Sequence, residues 1–478
     1  MAAGFESARS LRVSETGIPG LLLLDLPVHG DRRGWFKENW QRERMVALGL
    51  PDFGPVQNNI SFNDRRGATR GIHAEPWDKY VSVATGRIFG AWVDLREGPA
   101  FGTVFTAELG PGTAVFVPRG VGNAYQTLED DTAYVYLVND HWSAQAQSQY
   151  TFLNLDDETA AIAWPIPLEQ AERSERDLAH PRLAEVSPMR PRRALVLGAN
   201  GQLGRALRET VPGADFADRS RIDLFNEETL DSVRWGDYDT VINAAAYTAV
   251  DQAETPRGRV DCWDANVTGV ARLARHAARH GLTLVHVSSD YVFDGAKHSA
   301  YTEHDPIAPL SVYGQTKAAG DAIATTVPRH YIVRTSWVIG DGGNFVRTMA
   351  ALAARGVDPS VVDDQVGRLT FARDLAAGIR HLLDTRPAYG IYNLTGSGHA
   401  TSWADIARRV FELTGHDPAR VTGVSTAEYF AGEQAAPRPR NSLLALDRIV
   451  ATGFAPRDAA EALTEYLDAL AGHEGSNR

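Results

Sequence analysis

An all-β unit followed by a doubly wound α/β unit is the architecture that this 478-residue sequence predicts. Three observations predict it. Residues 1–184 carry short β-rich runs separated by glycine, proline and acidic residues, as in a sandwich or barrel. After residue 192 the rhythm changes to buried runs alternating with helical stretches, the mark of a parallel sheet with helices on both faces. At the start of that second part, Ala194-Leu-Val-Leu-Gly-Ala-Asn-Gly-Gln-Leu-Gly204 runs from a strand through glycines into a helix.

The length argues for two or three domains rather than one core. A content of 44% hydrophobic and 23% charged residues fits a globular chain. The net charge of −12 speaks against nucleic acid or a membrane surface as partner, so an anionic ligand must be held by local Arg and Lys. The single cysteine, Cys262, excludes an internal disulfide, suits a reducing cytoplasm and is read as a small packing residue. The apolar run 21–24 is too short for a signal peptide or a membrane span, so a cytoplasmic protein is expected.

In the first part, strands are expected at 80–83, 87–95, 113–118 and 132–138, in a barrel able to enclose a ligand. Residues 185–192, rich in Pro and Arg, are read as a solvated linker. In the second part, strands at 240–246, 282–289 and 331–335 alternate with helices at 202–211, 263–280 and 312–326. Ligands of such a sheet bind beyond the carboxyl ends of its strands. Helices at 370–383, 402–414 and 459–471 suggest a small substrate lobe, and 473–478 a disordered tail.

The glycine-rich turn is suited to a dinucleotide. A helix start offers unpaired N–H groups to phosphate. Gly198 permits the turn, Gly201 lets a pyrophosphate approach, and Gly204 lets helix and strand close up. Asn200, Gln202 and Leu203 complete this cradle. Asp218 and Asp223, near the end of the expected second strand, can bond a ribose hydroxyl or the adenine. Arg219 can instead hold a 2′-phosphate, or be a solvated charge, which leaves NAD and NADP both open. Tyr313 and Lys317 stand at i and i+4, on one helix face. An ammonium there is expected to draw the phenol pKa down and suit it to proton transfer at a carbonyl oxygen. Ser289, at a strand end, can bond the same oxygen.

The words Val241-Ile-Asn-Ala-Ala-Ala-Tyr-Thr-Ala-Val-Asp251, Ser288-Ser-Asp-Tyr-Val-Phe293, Pro309-Leu-Ser-Val-Tyr-Gly-Gln-Thr-Lys317 and Arg334-Thr-Ser-Trp337 resemble the dTDP-4-dehydrorhamnose reductases, extended short-chain dehydrogenases with a Rossmann-type fold. The resemblance runs from 193 to about 467. It implies that a hydroxyl/Tyr/Lys trio reduces a 4-keto sugar, with Ser289 where the family usually has Thr. It also implies that Asn243, Ala244 and Ala245 line the cofactor, and that Tyr313 and Lys317 touch it as well. Trp337, Asn344 and Phe345 fall where the family contacts its nucleotide-sugar, with Ile339 in place of a common aromatic; a core aromatic is the competing reading of Trp337.

In the first part, His29-Gly-Asp-Arg-Arg-Gly-Trp-Phe-Lys-Glu38, Gln57-Asn-Asn-Ile-Ser61, Arg70-Gly-Ile-His73 and Ser174-Glu-Arg-Asp177 resemble, in order, the dTDP-4-dehydrorhamnose 3,5-epimerases, a cupin-like jelly-roll family. The resemblance covers about 10–184. It implies His73 as base, Asp177 as its orienting carboxylate and Tyr136 as acid. Lys79 and Arg70 are implied at the enolate oxygen, and Arg33, Phe36, Glu38, Gln57 and Asn59 at the nucleotide. A ketone at C4 acidifies the protons at C3 and C5, and an imidazole titrating near neutrality suits their removal. No metal is expected, because His73-Ala-Glu75 offers one imidazole and no second His lies near it in sequence. The chain has Gly122-Asn-Ala-Tyr125 where the family has Ala-His-Gly-Phe, Leu137 where it has Lys, and a shortened segment from His73 to Lys79.

Together these imply a bifunctional enzyme that epimerises dTDP-4-dehydro-6-deoxy-D-glucose and then reduces the C4 ketone with NAD(P)H, the epimerase needing no cofactor. Domains are expected at 1–184 and 193–478, in a homodimer joined through the first, with a dTDP-sugar as ligand. The alternatives are an epimerase and ketoreductase for another nucleotide deoxysugar, or a nucleotide-binding regulatory scaffold with an inactive first domain.

Overall fold

In a computed structural model, which describes residues 10–142, 146–432 and 434–476, the chain divides into two compact units, 1–191 and 192–478. The first unit is built from thirteen strands. They are β1 (Arg12–Glu15), β2 (Leu22–Asp25), β3 (His29–Asp31), β4 (Gly34–Phe36), β5 (Gln57–Asn63), β6 (Thr69–Ala74), β7 (Lys79–Thr85), β8 (Ile88–Asp94), β9 (Val104–Leu109), β10 (Thr113–Val117), β11 (Val121–Thr127), β12 (Thr132–Val138) and β13 (Thr151–Phe152). Two antiparallel sheets result, ordered β1-β2-β10-β7-β12-β5 and β13-β6-β11-β8-β9, while β3 and β4 form a separate hairpin. The two sheets share a dry core that includes Val81, Val83, Val115, Trp92, Val121 and Tyr125.

Strand β5 lies at a sheet edge and reverses the usual polarity. Gln57, Asn59, Ser61 and Asn63 are the more covered residues, while Ile60 and Phe62 stand 67% and 56% exposed. Alternation of side chains across a strand makes these two opposite faces.

The stretch 185–192 is not the solvated linker expected. Val186 and Met189 are buried in a cluster with Leu95 and Leu183. Met189 N–H donates to the Leu95 carbonyl at 2.8 Å and its own carbonyl accepts from Glu97 N–H at 2.9 Å. Two apolar side chains among the prolines and arginines decide this, by completing the first unit's core.

The second unit carries a fully parallel sheet. Its strands are β14 (Arg193–Leu197), β15 (Asp215–Ala217), β16 (Tyr238–Asn243), β17 (Thr283–Ser289), β18 (His330–Thr335) and a last one at Gly390–Asn393, in the order β15-β14-β16-β17-β18-last. The order reverses between β14 and β16, and this crevice is where ligands of open α/β sheets bind.

Four expectations need correction here. Strand β16 stops at Asn243, leaving Ala244–Ala246 as coil at its carboxyl end. The helix expected over 263–280 begins at Pro256 and is broken by a π-turn at Asp264–Thr268. That turn aims buried Asn266 at the Tyr247 carbonyl (3.1 Å) and the Thr316 hydroxyl (3.1 Å), so hydrogen bonding overrides helical regularity. The closing helix Ala459–Ser476 runs into the stretch expected to be a tail, and residues 477–478 lie outside the described ones. Runs 12–15, 22–25, 57–63, 69–74, 104–109 and 121–127 are strands that the sequence reading did not single out.

Candidate active sites

In the first unit, His73 on β6 meets Asp177, 104 residues further on. The imidazole Nε2 lies 3.1 Å from the Asp177 carboxylate, which is only 5% exposed. Asp177 belongs to the four-residue helix α2 (Glu175–Leu178), whose cap is Ser174: its hydroxyl accepts from the Asp177 N–H at 3.1 Å. Burial would raise the Asp177 pKa, but bonds from His73 and Ser174 outweigh it and hold the carboxyl below its usual value. Nδ1 of His73 is thereby left for a reactant.

Strand β12 carries Tyr136, in the sheet that does not hold His73. Lys79 Nζ lies 5.5 Å from the Tyr136 ring centre and forms a buried ion pair with Glu75. Burial first, then Glu75, pushes the Tyr136 phenol up, so it keeps its proton at neutral pH. Lys79 is thus not a free oxyanion ligand as expected; its charge is shared with Glu75, a partner that sequence reading missed. Arg70 donates to Asn63 at 3.2 Å, and Gln57 to Asn59 at 2.8 Å, along the polar face of β5. Asn123, standing where the related family has His, donates to the Tyr134 hydroxyl at 2.9 Å, and Tyr134 stacks on Tyr125. Arg33, Phe36 and Glu38 are not drawn into this group. Arg33 pairs with Asp31, Glu38 with Arg44, and Phe36 is 65% exposed.

A second imidazole was missed. His180 Nε2 lies 4.0 Å from the Asp177 carboxylate, and its ring is 5.3 Å from that of His73. The expectation of no second histidine near His73 therefore fails in space, although it holds in sequence. The signal was the i, i+3 spacing of Asp177 and His180.

In the second unit, the turn after β14 brings its glycines into contact so close that side chains are excluded. A Cβ on Gly198, at φ +81°, would lie 2.7 Å from the Ala244 carbonyl carbon and the Ala245 nitrogen. One on Gly204 would strike the Gly198 carbonyl, whereas Gly201 meets only that carbonyl, at 3.3 Å. Gly201 precedes helix α3 (Gln202–Thr210), whose Leu203 is buried and whose Gln202 Oε1 is buried with no partner. Asn200 donates to Asp218 at 2.9 Å just past β15, and Asp218 is held below the usual carboxyl range by bonds from Ser220 and Asn200. Asp223 lies farther along, 3.4 Å from Arg219. Ala244 and Ala245 follow β16 directly, and Asn243 fixes the turn by accepting from Ala245 N–H at 3.2 Å. Anion-seeking N–H groups, a glycine cradle and an acidic residue after the second strand fit a dinucleotide.

Ser289 ends β17, and helix Val312–Ala324 carries Tyr313 and Lys317. Ser289 donates to Asp290 at 2.9 Å and bonds the Tyr313 phenol. Lys317 Nζ donates to the Val287 carbonyl at 2.7 Å. The expected lowering of the Tyr313 pKa is outweighed: burial, then Asp290, pushes the phenol up, and the Ser289 bond opposes only in part. Burial also brings Lys317 down to about 8. At neutral pH Tyr313 therefore carries its proton. Below the lysine lies a buried pair missed in the sequence, Asp321 with Arg334 at 3.0 Å, while His286 bonds Asn243 at 3.2 Å. Asp321 was legible as the i+4 neighbour of Lys317.

Trp337 sits at φ +47°, stacked on Trp403 at 3.9 Å. Phe345 meets Trp403 edge-on, so a small aromatic wall stands at the lobe. Ile339, by contrast, is buried in the lobe's core. Asn344 caps helix Phe345–Ala354, and its amide nitrogen donates to Gly340 at 2.7 Å and to Tyr466 at 2.8 Å, bonds that fix its side chain at the lobe.

Known proteins match each of the two units. A family model described as RmlD substrate binding domain matches residues 192–471, and one described as dTDP-4-dehydrorhamnose 3,5-epimerase matches residues 15–185. A Streptococcus pyogenes protein named RmlC homolog is 49% identical over 180 residues, which span 37% of this chain and 90% of that protein. The chain joins two families, the dTDP-4-dehydrorhamnose 3,5-epimerases and the dTDP-4-dehydrorhamnose reductases. The reductase of Aggregatibacter actinomycetemcomitans is 39% identical over 296 residues, 57% of this chain and 97% of that protein. The solved reductase of Bacillus anthracis, in complex with NADP, is 33% identical, with a TM-score of 0.53 over 58% of this chain and 98% of its own.

In this reductase unit, kcat/KM for the ketone is expected to fall about tenfold per pH unit above about 8. The sign follows from Lys317, which loses its positive charge as pH rises through that value. A stopped-flow pH profile checks it, and a plateau running to pH 10 would remove Lys317 from control of the rate.

Proposed function

We propose that this chain converts dTDP-4-dehydro-6-deoxy-D-glucose to dTDP-L-rhamnose with its two units, a jelly-roll epimerase (1–191) and a Rossmann-type reductase with a small substrate lobe (192–478). What carries the reading is the presence, in one chain, of a His73–Asp177 pair and a Ser289–Tyr313–Lys317 group built on a strand's carboxyl end and the helix that follows.

In the first unit His73 Nδ1 takes the proton beside the ketone, and Asp177 stabilises the resulting imidazolium. Tyr136 holds its proton at neutral pH and returns it on the opposite face. Arg70, and the Lys79–Glu75 pair with its net charge near zero, bound the enolate side. In the second unit, NADPH or NADH, when bound along Gly198–Gly204 and Asp218, supplies hydride to C4. Tyr313 gives its proton to the C4 oxygen, Ser289 positions that oxygen, and Lys317 favours the phenolate left behind. Arg219, beside Asp218, supports NADP over NAD. The Trp337–Trp403 wall and Asn344 are the proposed rim for the nucleotide-sugar. Reduction consumes the epimerised ketone, and so draws an epimerisation of small driving force forward.

A homodimer through the first unit explains β5. Its polar face looks into the pocket, and Ile60 and Phe62 look out from an unpaired edge. Ile60→Glu with Phe62→Glu is expected to halve the mass measured by light scattering; an unchanged mass would place the interface elsewhere. A reducing cytoplasm suits the single thiol and a reduced nicotinamide.

The deciding experiment supplies the nucleotide-linked 4-keto-6-deoxyglucose with NADPH or NADH and identifies the sugar by NMR. L-rhamnose on dTDP is expected. A D-configured or singly epimerised product would assign the chain to another deoxysugar, and no product would make it a binding protein.

A further inference from the structure

The His73–Asp177 pair has a third neighbour to which the proton chemistry gives no task. His180 is 9% exposed as a residue, and its Nε2 has no hydrogen-bond partner. That atom faces the Asp177 carboxylate across 4.0 Å. The ligand atoms of His73, Asp177 and His180 all lie within 4.8 Å of one another. The rings are braced: His180 stacks on Phe152 at 4.7 Å, and His73 meets Phe152 edge-on at 5.5 Å.

We propose that His73, Asp177 and His180 form a Zn²⁺-class site whose occupation switches the first unit off. Two imidazoles and a carboxylate are a donor set that zinc accepts, with bonds of about 2.0–2.2 Å and a fourth position for water. In a tetrahedron such bonds put ligand atoms about 3.4 Å apart. The 3.1 Å and 4.0 Å separations already bracket that value. The side chain of His73 is 33% exposed, which gives the ion its entry from the pocket. Arg176, whose guanidinium lies 5.6 Å from the Phe152 ring, is the nearby charge that tempers affinity.

The loss of activity follows from proton position. Zinc binds a neutral imidazole through a lone pair. When it takes His73 Nε2, the proton shared with Asp177 leaves that nitrogen, and the ring's one remaining N–H is at Nδ1. Nδ1 is the nitrogen assigned above as the base, so a metallated His73 cannot accept a proton from the sugar. No redox step is involved, and the ion leaves unchanged when chelated. This inference rests on the epimerase reading for its consequence, but not for the binding itself.

The test uses the full-length, untagged chain, freed of metal with a chelator and titrated with Zn²⁺ or Co²⁺. One ion per chain is expected, with a visible Co²⁺ absorption of nitrogen and oxygen ligation. His180→Gln and Asp177→Asn should each weaken binding at least tenfold, and the two variants guard against one that fails to fold. Deuterium exchange at the sugar carbons should fall at least tenfold at one Zn²⁺ per chain and recover on chelation. In His180→Gln the same Zn²⁺ should leave that variant's own exchange rate unchanged. Absence of a stoichiometric ion, or equal affinity in the native chain and both variants, overturns the site. Stoichiometric binding with no effect on exchange overturns the switch. A metal-free native chain that shows no exchange at all sinks the epimerase reading instead, and the Co²⁺ spectrum still decides the site.

Discussion

Tyr313→Phe is expected to slow reduction of the keto sugar by about 10²–10⁴-fold, in kcat and kcat/KM alike. The ring is 9% exposed and packs with Val312, Ala253 and Cys262, so phenylalanine keeps the packing and removes only the hydroxyl. The lost bond with Ser289 costs about 1 kcal/mol of stability, too little to unfold the unit. What disappears is the proton donor to the C4 oxygen, leaving Ser289 as its one fixed polar neighbour from this group. Cofactor affinity should not change, since the glycine cradle is untouched. NAD(P)H absorbance with the ketone present measures the rate, and fluorescence titration measures the affinity. A variant as fast as the native chain would remove Tyr313 from the mechanism.

His73→Ala is expected to abolish most deuterium uptake at C3 and C5, again by about 10²–10⁴-fold. The buried Asp177 holds the His73 Nε2 at 3.1 Å, whereas the His180 Nε2 stands off at 4.0 Å. Asp177→Asn should keep the shape and lose the charge that favours the imidazolium, giving a smaller loss with an unchanged substrate affinity. The internal control is NADPH oxidation when the epimerised ketone is supplied ready-made, which should persist in both variants. If His73→Ala exchanges at the native rate, the base lies elsewhere.

Much of this was legible because particular residues leave strong local marks. The turn Gly198 to Gly204 declared itself through spacing, since a Cβ at Gly198 or Gly204 would overlap backbone. Tyr313 and Lys317 were legible from the helix period, and so was Asp321 one turn on. Strands β5, β6 and β11 were hidden for the opposite reason. Their covered polar residues, Asn59, His73, Asn123 and Gln126 among them, break the apolar alternation that marks a half-buried strand. His180 and Glu75 escaped although each stands three or four residues from its partner, because neither spacing falls in a long helical stretch that would have marked it. The direction of the Tyr313 shift was misjudged because burial, invisible in a spacing pattern, is its largest cause.

Helix α2, four residues long, has a temporal consequence. Every strand of the front half precedes it in the chain, yet without Asp177 the imidazole on β6 has no carboxylate behind it. Domains assemble from the amino end as synthesis proceeds. On the ribosome, then, the front imidazole lacks its carboxylate until Ser174 and Asp177 have emerged. Termination between Phe152 and Ser174 leaves every described strand of the front half encoded but its imidazole without a carboxylate, so such a chain is expected to work on the ketone more slowly than the whole one.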